Sequence, residues 1–393
     1  MHPNAVPFVS RITGRHGKDI LARDKARAAK LLKSIRPHGP GALHELRKRG
    51  RDASPGASGV DVTDAGVTYT ASVGVGSPAT DYTLLIDTGS SNTWIGADKK
   101  YRKTSTSKAT GGKVNVSYGS GQFSGEEYID TVTLNSTLVI KDQSIGVASR
   151  AQGFQGVDGI LGVGPVDLTQ GTVSGQNLVP TVVDNLFAQG TISAATLGIF
   201  YEPTTKEGAL NGELVFGGID QSKITGDLTY VPITGTAPAS DYWGIDQDLA
   251  YGSAPLLRRS AGIVDTGTTL LMIATDAFEA YTRATGATMD ETTGLLKITA
   301  EQYNRLKSLF FTIGGTTFEL TPNAQIWPRA LNSMLGGDAD GIYLIVADMG
   351  SPSGQGLDFI NGFAFLQRFY SVYDTGNARV GLAPTAFTQA ETN

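Results

Sequence analysis

The stretch Leu84-Leu85-Ile86-Asp87-Thr88-Gly89-Ser90-Ser91-Asn92-Thr93-Trp94 sets an aspartate at the end of a short apolar run, followed by a glycine and two hydroxyl side chains. The chain repeats the pattern at Ala261-Gly262-Ile263-Val264-Asp265-Thr266-Gly267-Thr268-Thr269-Leu270. An apolar run of this length reads as a strand, so each aspartate stands where a strand leaves its sheet. Working residues are common at such places. The repeat predicts two β-rich halves that bring two loops face to face.

Two carboxylates about 3 Å apart cannot both ionise easily, so one pKa falls, the other rises, and the pair holds one proton over a wide acidic range. The ionised member can take a proton from water while the protonated member donates to a carbonyl oxygen. That is general acid–base hydrolysis of an amide. Glycine lets the loops approach closely, and a hydroxyl on each loop can hold the carboxylates coplanar.

A third copy, Asp374-Thr375-Gly376, tests the motif. It follows Ser371-Val372-Tyr373 but continues Asn377-Ala378-Arg379-Val380, without the hydroxyl pair. Such a turn between two strand-like segments is an ordinary hairpin, and Asp374 is assigned to structure.

Composition bounds the remaining choices. A chain of 393 residues is long enough for two domains. Fifty glycines and 18% charged residues fit short strands and tight turns. The absence of cysteine excludes disulfides, thiolate metal sites and a cysteine nucleophile. The four histidines have no metal-ligand spacing, and no metal or cofactor is expected. No apolar run reaches the roughly 18 residues of a membrane span, so no membrane partner is expected.

Charge is divided unevenly. Residues 1–60 hold 13 Lys/Arg against 4 Asp/Glu, and the remainder holds 19 against 33. A basic head on an acidic body suggests that the head binds the body, or a polyanion elsewhere. Nucleic acid is not expected, since no aromatic residues interleave the basic ones. Met1 to Ser10 lacks the apolar core of a secretory signal, so either the protein is not secreted or the signal precedes this sequence.

Lys18 to Ile35 has a helical pattern. Leu21, Ala28, Leu32 and Ile35 share one face, with Arg23, Lys25, Lys30 and Lys33 around them, as in a solvated basic helix. Arg47-Lys48-Arg49-Gly50-Arg51 then runs into a small polar linker of the kind that proteases nick. The reading divides the chain into a head and linker (1–55), a first lobe (56–222) and a second lobe (223–393).

Within the first lobe, Val114 to Gly125 reads as a strand, a Gly-rich turn and a returning strand, with Tyr118 near the tip. Asp158-Gly159-Ile160-Leu161-Gly162 reads as an apolar stretch packed close to another backbone. Short helices are predicted at Pro180–Gln189, with Pro180 in the first turn, at Asp276–Thr285 and at Thr299–Phe310. The tail from Gln389 carries no packing signal. Asn115-Val116-Ser117 and Asn135-Ser136-Thr137 are glycan acceptors if the route is secretory, and a glycan on Asn115, three residues before Tyr118, would crowd the cleft.

From Val67 to Pro384 these parts, in their order and spacing, resemble the pepsin-like aspartic proteases, particularly the secreted fungal members. The resemblance implies an all-β, bilobal fold with a peptide-length cleft, preceded by a basic prosegment. It implies that Asp87 and Asp265 form the catalytic dyad, supported by Thr88, Gly89, Ser90, Thr266, Gly267 and Thr268. Tyr118 would be the flap residue that closes on substrate and contacts Trp94. Gly119, Ser120 and Gly267 would bind substrate backbone, and Ile160, Tyr242 and Ile263 would wall pockets.

The resemblance further implies an acid endopeptidase made as a zymogen, monomeric, secreted or vacuolar, acting on polypeptides and inhibited by pepstatin-type compounds. The sequence departs from the family in having no cysteine, in placing Phe363 where an acidic residue follows the glycine, and in a head without a prosegment motif that aligns. Two other readings are a binding protein on the same fold and a two-carboxylate glycosidase. Both intact Asp-Thr-Gly loops and the flap tyrosine disfavour the first. The second does not require matched loops in two halves.

Overall fold

The computed structural model describes residues 2–12, 16–33, 67–119, 121–203, 206 and 210–393. The basic cluster with the polar linker that follows it, and Ser120, lie outside the described residues.

Two β-rich lobes face each other. The strands that build the first are β1 (Ala5–Ile12), β2 (Val67–Val75), β3 (Thr80–Asp87), β4 (Trp94–Ile95), β5 (Lys108–Ser117), β6 (Gln122–Thr133), β7 (Val139–Gln152), β8 (Gly159–Gly162), β9 (Thr196–Tyr201) and β10 (Leu210–Phe216). Alternation sets their register. Tyr69, Ala71, Val73 and Val75 of β2 are buried, as are Tyr82, Leu84 and Ile86 of β3, and the two strands pair antiparallel with Thr70 opposite Leu85.

These strands belong to one sheet of thirteen. Its order is Thr229–Pro232, Arg379–Pro384, Phe369–Asp374, β9, β10, β1, β2, β3, β8, β4, β7, β6, β5. The last two strands of the chain therefore join the first lobe's sheet. The second lobe has its own sheet of seven strands, which includes Gly244–Tyr251, Ala254–Val264, Leu271–Ile273 and Phe359–Asn361. With no cysteine, the packing rests on apolar contact, and one buried cluster runs from Val6 to Leu382 across both lobes.

The head is not a solvated arm. β1 lies inside the large sheet, antiparallel to β10 on one side and to β2 on the other. Helix α1 (Gly17–Leu31) follows, with Ile20, Asp24, Arg27, Ala28 and Leu31 buried and Leu21 only half-buried. The buried face thus runs through Ile20, Asp24, Arg27 and Leu31. Of the predicted face, Ala28 is buried, Leu21 and Leu32 are half-buried and Ile35 lies outside the described residues; the helix also buries the charged Arg23, Asp24 and Arg27, the last two of which find partners in the body.

Other expectations are corrected in detail. The segment Thr299–Phe310 is helical only over Ala300–Tyr303. Leu309–Ile313 is a strand whose alternate residues Leu309, Phe311 and Ile313 are buried, so its two-residue period prevails. Pro180 precedes the helix Val182–Ala188 rather than entering its first turn. Thr181 caps that helix in a capping box with Asp184. The tail also packs: Asn393 is buried and its Nδ2 donates to Ile326 O at 2.9 Å.

Candidate active site

β3 runs parallel to β8, with Leu84 beside Gly159 and Asp87 beside Gly162. The strand Ala254–Val264 runs parallel to Phe359–Asn361, with Ile263 beside Ile360 and Val264 beside Asn361. Each aspartate loop thus emerges from a strand framed by a second strand, with a glycine at its end (Gly162) or directly after it (Gly362). The framing glycines are needed for space. A Cβ on Gly162 would meet Asn92 O at 2.6 Å, and one on Gly362 would meet Leu270 O at 2.2 Å. The correspondence of Ile160-Leu161-Gly162 with Ile360-Asn361-Gly362 is legible in the sequence.

The loops meet. Thr88 N donates to Thr266 Oγ1 and Thr266 N donates to Thr88 Oγ1, both at 3.0 Å. Thr266 Oγ1 also donates to Ile86 O at 3.1 Å. Within its own loop each aspartate accepts a matching set of bonds. Gly89 N and Ser90 Oγ donate to Asp87, while Gly267 N and Thr268 Oγ1 donate to Asp265. A Cβ on Gly89 would lie 2.8 Å from Asp265 Oδ1, and one on Gly267 would lie 2.6 Å from Asp87 Oδ1. Only glycine allows each loop to face the other's carboxylate this closely.

Both carboxylates are fully buried, and one guanidinium lies between them. Arg27 Nη2 donates to Asp87 Oδ1 at 2.5 Å and to Asp265 Oδ1 at 2.9 Å, and Arg27 Nε donates to Asp265 Oδ2 at 2.6 Å. Burial would raise the Asp265 carboxyl. The Arg27 charge, together with the Thr268 hydroxyl and the Gly267 N–H, outweighs it and holds the group below its ordinary range. Burial would likewise lower the Arg27 guanidinium, but Asp265 and Asp87 raise it.

The hairpin of β5 and β6 closes over this pair. Trp94 Nε1 donates to Tyr118 OH at 3.0 Å, and a Cβ on Gly119 would lie 2.3 Å from Arg27 Cα. Lys30 Nζ sits over the Tyr118 ring, 5.3 Å from its centre, and burial and the Arg27 charge lower its pKa to about 8. Tyr242 OH donates to Leu31 O at 3.5 Å, so Tyr242 also faces α1. Ile160 is buried in the cluster around Trp94, and Ile263 is fully buried in the main core.

α1 has two further ties to the second lobe. Asp24 is fully buried and accepts from Thr269 N at 3.0 Å and from Leu270 N at 2.8 Å. Lys25 Nζ pairs with Asp348 Oδ2 at 3.1 Å. Neither Asp24 nor Arg27 is marked by the sequence, since both lie among the many charged residues of the head.

The remaining residues of interest fall outside the cleft. Asp374 accepts from Asn377 and Arg379 within a hairpin turn. Phe363 keeps the local backbone bonding, its N–H donating to Thr268 O at 2.8 Å, and its ring packs 4.6 Å from Tyr69. Asn115 is exposed and lines an outer groove with Lys100, Ser124 and Ser149. Asn135 Nδ2 donates to Ala5 O at 3.1 Å. Among the described residues no helix is long and apolar enough to cross a membrane, and no group of three or more His, Asp or Glu is placed to hold a metal.

Two β lobes with one Asp-Thr-Gly loop each, cross-braced by threonines under a flap, define an aspartic-peptidase architecture. The eukaryotic aspartyl protease family model matches residues 68–385. Polyporopepsin of Irpex lacteus is 64% identical over 340 residues, 86% of this chain and 100% of that protein. Vacuolar protease A of Aspergillus fumigatus is 32% identical, covering 80% of this chain and 78% of its own length. The crystal structure of the aspartic proteinase from Irpex lacteus superimposes with a TM-score of 0.81 and 65% identity, covering 83% of this chain and 96% of that one. The chain belongs to the pepsin-like aspartyl protease family. It is an aspartic endopeptidase, made as a zymogen, that hydrolyses internal peptide bonds at acidic pH.

Proposed function

We propose that Asp87 and Asp265 are the catalytic pair, and that residues 1–55 are the prosegment that occupies their cleft. The observation that carries this reading is the Arg27 guanidinium, bonded to both carboxylates while each is also held by the glycine N–H and hydroxyl of its own loop. In the processed enzyme a water takes the place of that guanidinium. The ionised carboxylate accepts a proton from the water as its oxygen attacks the peptide carbonyl carbon. The protonated carboxyl donates to the carbonyl oxygen, and the leaving amine collects a proton as the tetrahedral intermediate collapses. Thr88 and Thr266 hold the loops, Ser90 and Thr268 hold the outer carboxylate oxygens, and Tyr118, anchored by Trp94, closes over the peptide. Gly119, Ser120 and Gly267 bind its backbone, and Tyr242 walls a pocket.

The test is digestion of casein or haemoglobin at about pH 3–5, where one member of such a pair is ionised and the other protonated. Activity is expected in the acid-processed enzyme and is expected to vanish with pepstatin. Asp87→Asn and Asp265→Asn should each abolish hydrolysis while the circular dichroism spectrum stays unchanged. Substantial residual activity in either variant sinks the pair. N-terminal sequencing after acid incubation tests the prosegment: cleavage is expected within Lys48–Val60, and an intact Met1 on fully active enzyme rules it out.

The processed enzyme is proposed to be a monomer, which sedimentation measures directly. A secreted destination is favoured over a vacuolar one by the identity with polyporopepsin, twice that with vacuolar protease A. Fractionating an expressing culture separates the two, and activity confined to vacuoles would reverse the assignment.

A further inference from the structure

Among the contacts by which α1 meets the second lobe, one uses a body carboxylate that the hydrolytic reading leaves aside. Asp348 ends the strand Val346–Asp348, which runs parallel to Leu271–Ile273 with Asp348 beside Ile273. That neighbouring strand follows directly from the second Asp-Thr-Gly loop. Leu270, whose N–H binds Asp24, precedes Ile273 by three residues, so Asp348 stands roughly 10 Å along the strand from the point where α1 touches the loop. An extended peptide covers that distance in about three residues.

The two oxygens of Asp348 have different partners. Oδ1 accepts from Thr275 Oγ1 at 2.6 Å and from Gly350 N at 2.8 Å, so the body itself orients the carboxylate. Oδ2 accepts from Lys25 Nζ at 3.1 Å, and among the described residues it has no other partner. The side chain remains 20% exposed with α1 in place. Burial would raise the carboxyl, but the Thr275 hydroxyl, the Gly350 N–H and Lys25 outweigh it and hold it below its ordinary range. The Thr275 and Gly350 bonds persist when the head leaves, since both belong to the body. A carboxylate held in this way keeps its charge in acid, where an ordinary one is largely protonated.

α1 marks the ground that a substrate would cover. One end of the helix packs on Thr293 and Gly294: a Cβ on Gly17 would meet Thr293 O at 2.5 Å, and one on Gly294 would meet Lys18 Cγ at 3.2 Å. The other end meets Tyr242 through Leu31 O and the flap through Lys30. The 15 residues of the helix span about 22 Å, the length of roughly seven residues of extended peptide. Lys25 lies near the middle of that span, and it sets an ammonium against Oδ2.

We propose that Asp348 is a specificity-determining residue of the processed enzyme. It selects peptides that carry a lysine or arginine within four residues of the scissile bond, and the substrate cation takes the place of Lys25 at Oδ2. This deepens the reading of the head as the occupant of the cleft, and it rests on that reading.

The test uses acid-processed enzyme and fluorogenic peptides that share one scissile bond. A single lysine is moved through the four positions on either side of that bond, each time against glutamine, at about pH 4. At one position kcat/KM for lysine is expected to exceed that for glutamine about three- to tenfold, chiefly through KM. Asp348→Asn is expected to bring that ratio close to one. Asp348→Lys is expected to favour aspartate over glutamine at the same position at about pH 5, where the peptide carboxyl is ionised. Each result is a ratio within one enzyme preparation, so a variant of lowered stability does not mimic it. Absence of a lysine preference at every position, or a preference that survives Asp348→Asn, would overturn the proposal. N-terminal sequencing of the same preparation separates the two readings. Fully active enzyme that keeps Met1 removes the reading of the head and this proposal with it. Absence of the lysine preference in enzyme cleaved within Lys48–Val60 removes the role of Asp348 alone.

Discussion

Arg27 holds two buried carboxylates with three hydrogen bonds, and its charge offsets part of theirs. Removing one partner of a buried ion pair costs about 3–5 kcal/mol, because the remaining charges stay desolvated. Arg27→Gln should therefore loosen α1 while leaving the body folded. The uncleaved variant is expected to hydrolyse a small fluorogenic peptide at pH 6, where the parent zymogen is inert. An uncleaved variant as inert as its parent would show that other contacts suffice. Thr266→Val removes the donor to Ile86 O and the acceptor for Thr88 N, and should cost on the order of 1–3 kcal/mol, read as a lowered Tm. The aspartates were legible because their motif is local and each copy carries its own hydroxyls. Arg27 is one of 13 basic residues in the head, and nothing in its spacing marks the one that reaches the pair.

At the scale of the helix, pH acts in two directions. Burial raises Asp24, despite the Leu270 and Thr269 N–H groups and the arginines beside it, to about 6 from an ordinary 3.8. An acid whose pKa is raised on docking binds its proton more tightly in the docked state, so this group strengthens docking as pH falls from about 6 towards 4. Asp265 and Asp348 shift the other way. Burial would raise Asp348, but Thr275 and Gly350 N hold it low with or without α1, and Lys25 adds the part that depends on docking, as Arg27 does for Asp265. Their contribution is present above the ordinary carboxylate range and is lost as pH falls through their depressed values. Release of α1 should therefore be slow through pH 6 to 4 and rapid below. In D24N the slope between pH 6 and 4 should disappear, a change of tenfold or more in relative processing rate. Electrophoresis of timed samples at each pH measures it, and an unaltered slope would exclude Asp24 as its source. The helix was legible as a helix. Its buried face was not, because burial here follows partners on a body hundreds of residues away rather than the apolar period.

Over the whole molecule, net charge suggested a basic head drawn to an acidic body, yet the described contacts are few and specific. They include the Arg27 bonds, Lys25 to Asp348, Asp24 to two main-chain N–H groups, Lys30 over the Tyr118 ring, and apolar contact through Ile20, Ala28 and Leu31. β1 adds backbone pairing on both of its edges, in the interior of the thirteen-stranded sheet. Long-range attraction between solvated charges is screened within about 3 Å at 1 M salt, whereas buried pairs are screened much less. The two accounts predict different salt responses. If net charge holds the head, raising salt from 0.1 to 1 M at pH 5 should release it and speed processing severalfold. The buried contacts predict little change, within about twofold, since only partly exposed pairs such as Lys25–Asp348 weaken. Deleting residues 2–12 separates the pairing from the charge. It removes one arginine, but it strips β10 and β2 of their partner strand, and the expected outcome is loss of soluble protein. A soluble, inert deletion variant would mean that α1 alone both closes the cleft and leaves the sheet intact. Either result locates what holds the head, because salt acts on charge and the deletion acts almost wholly on the sheet.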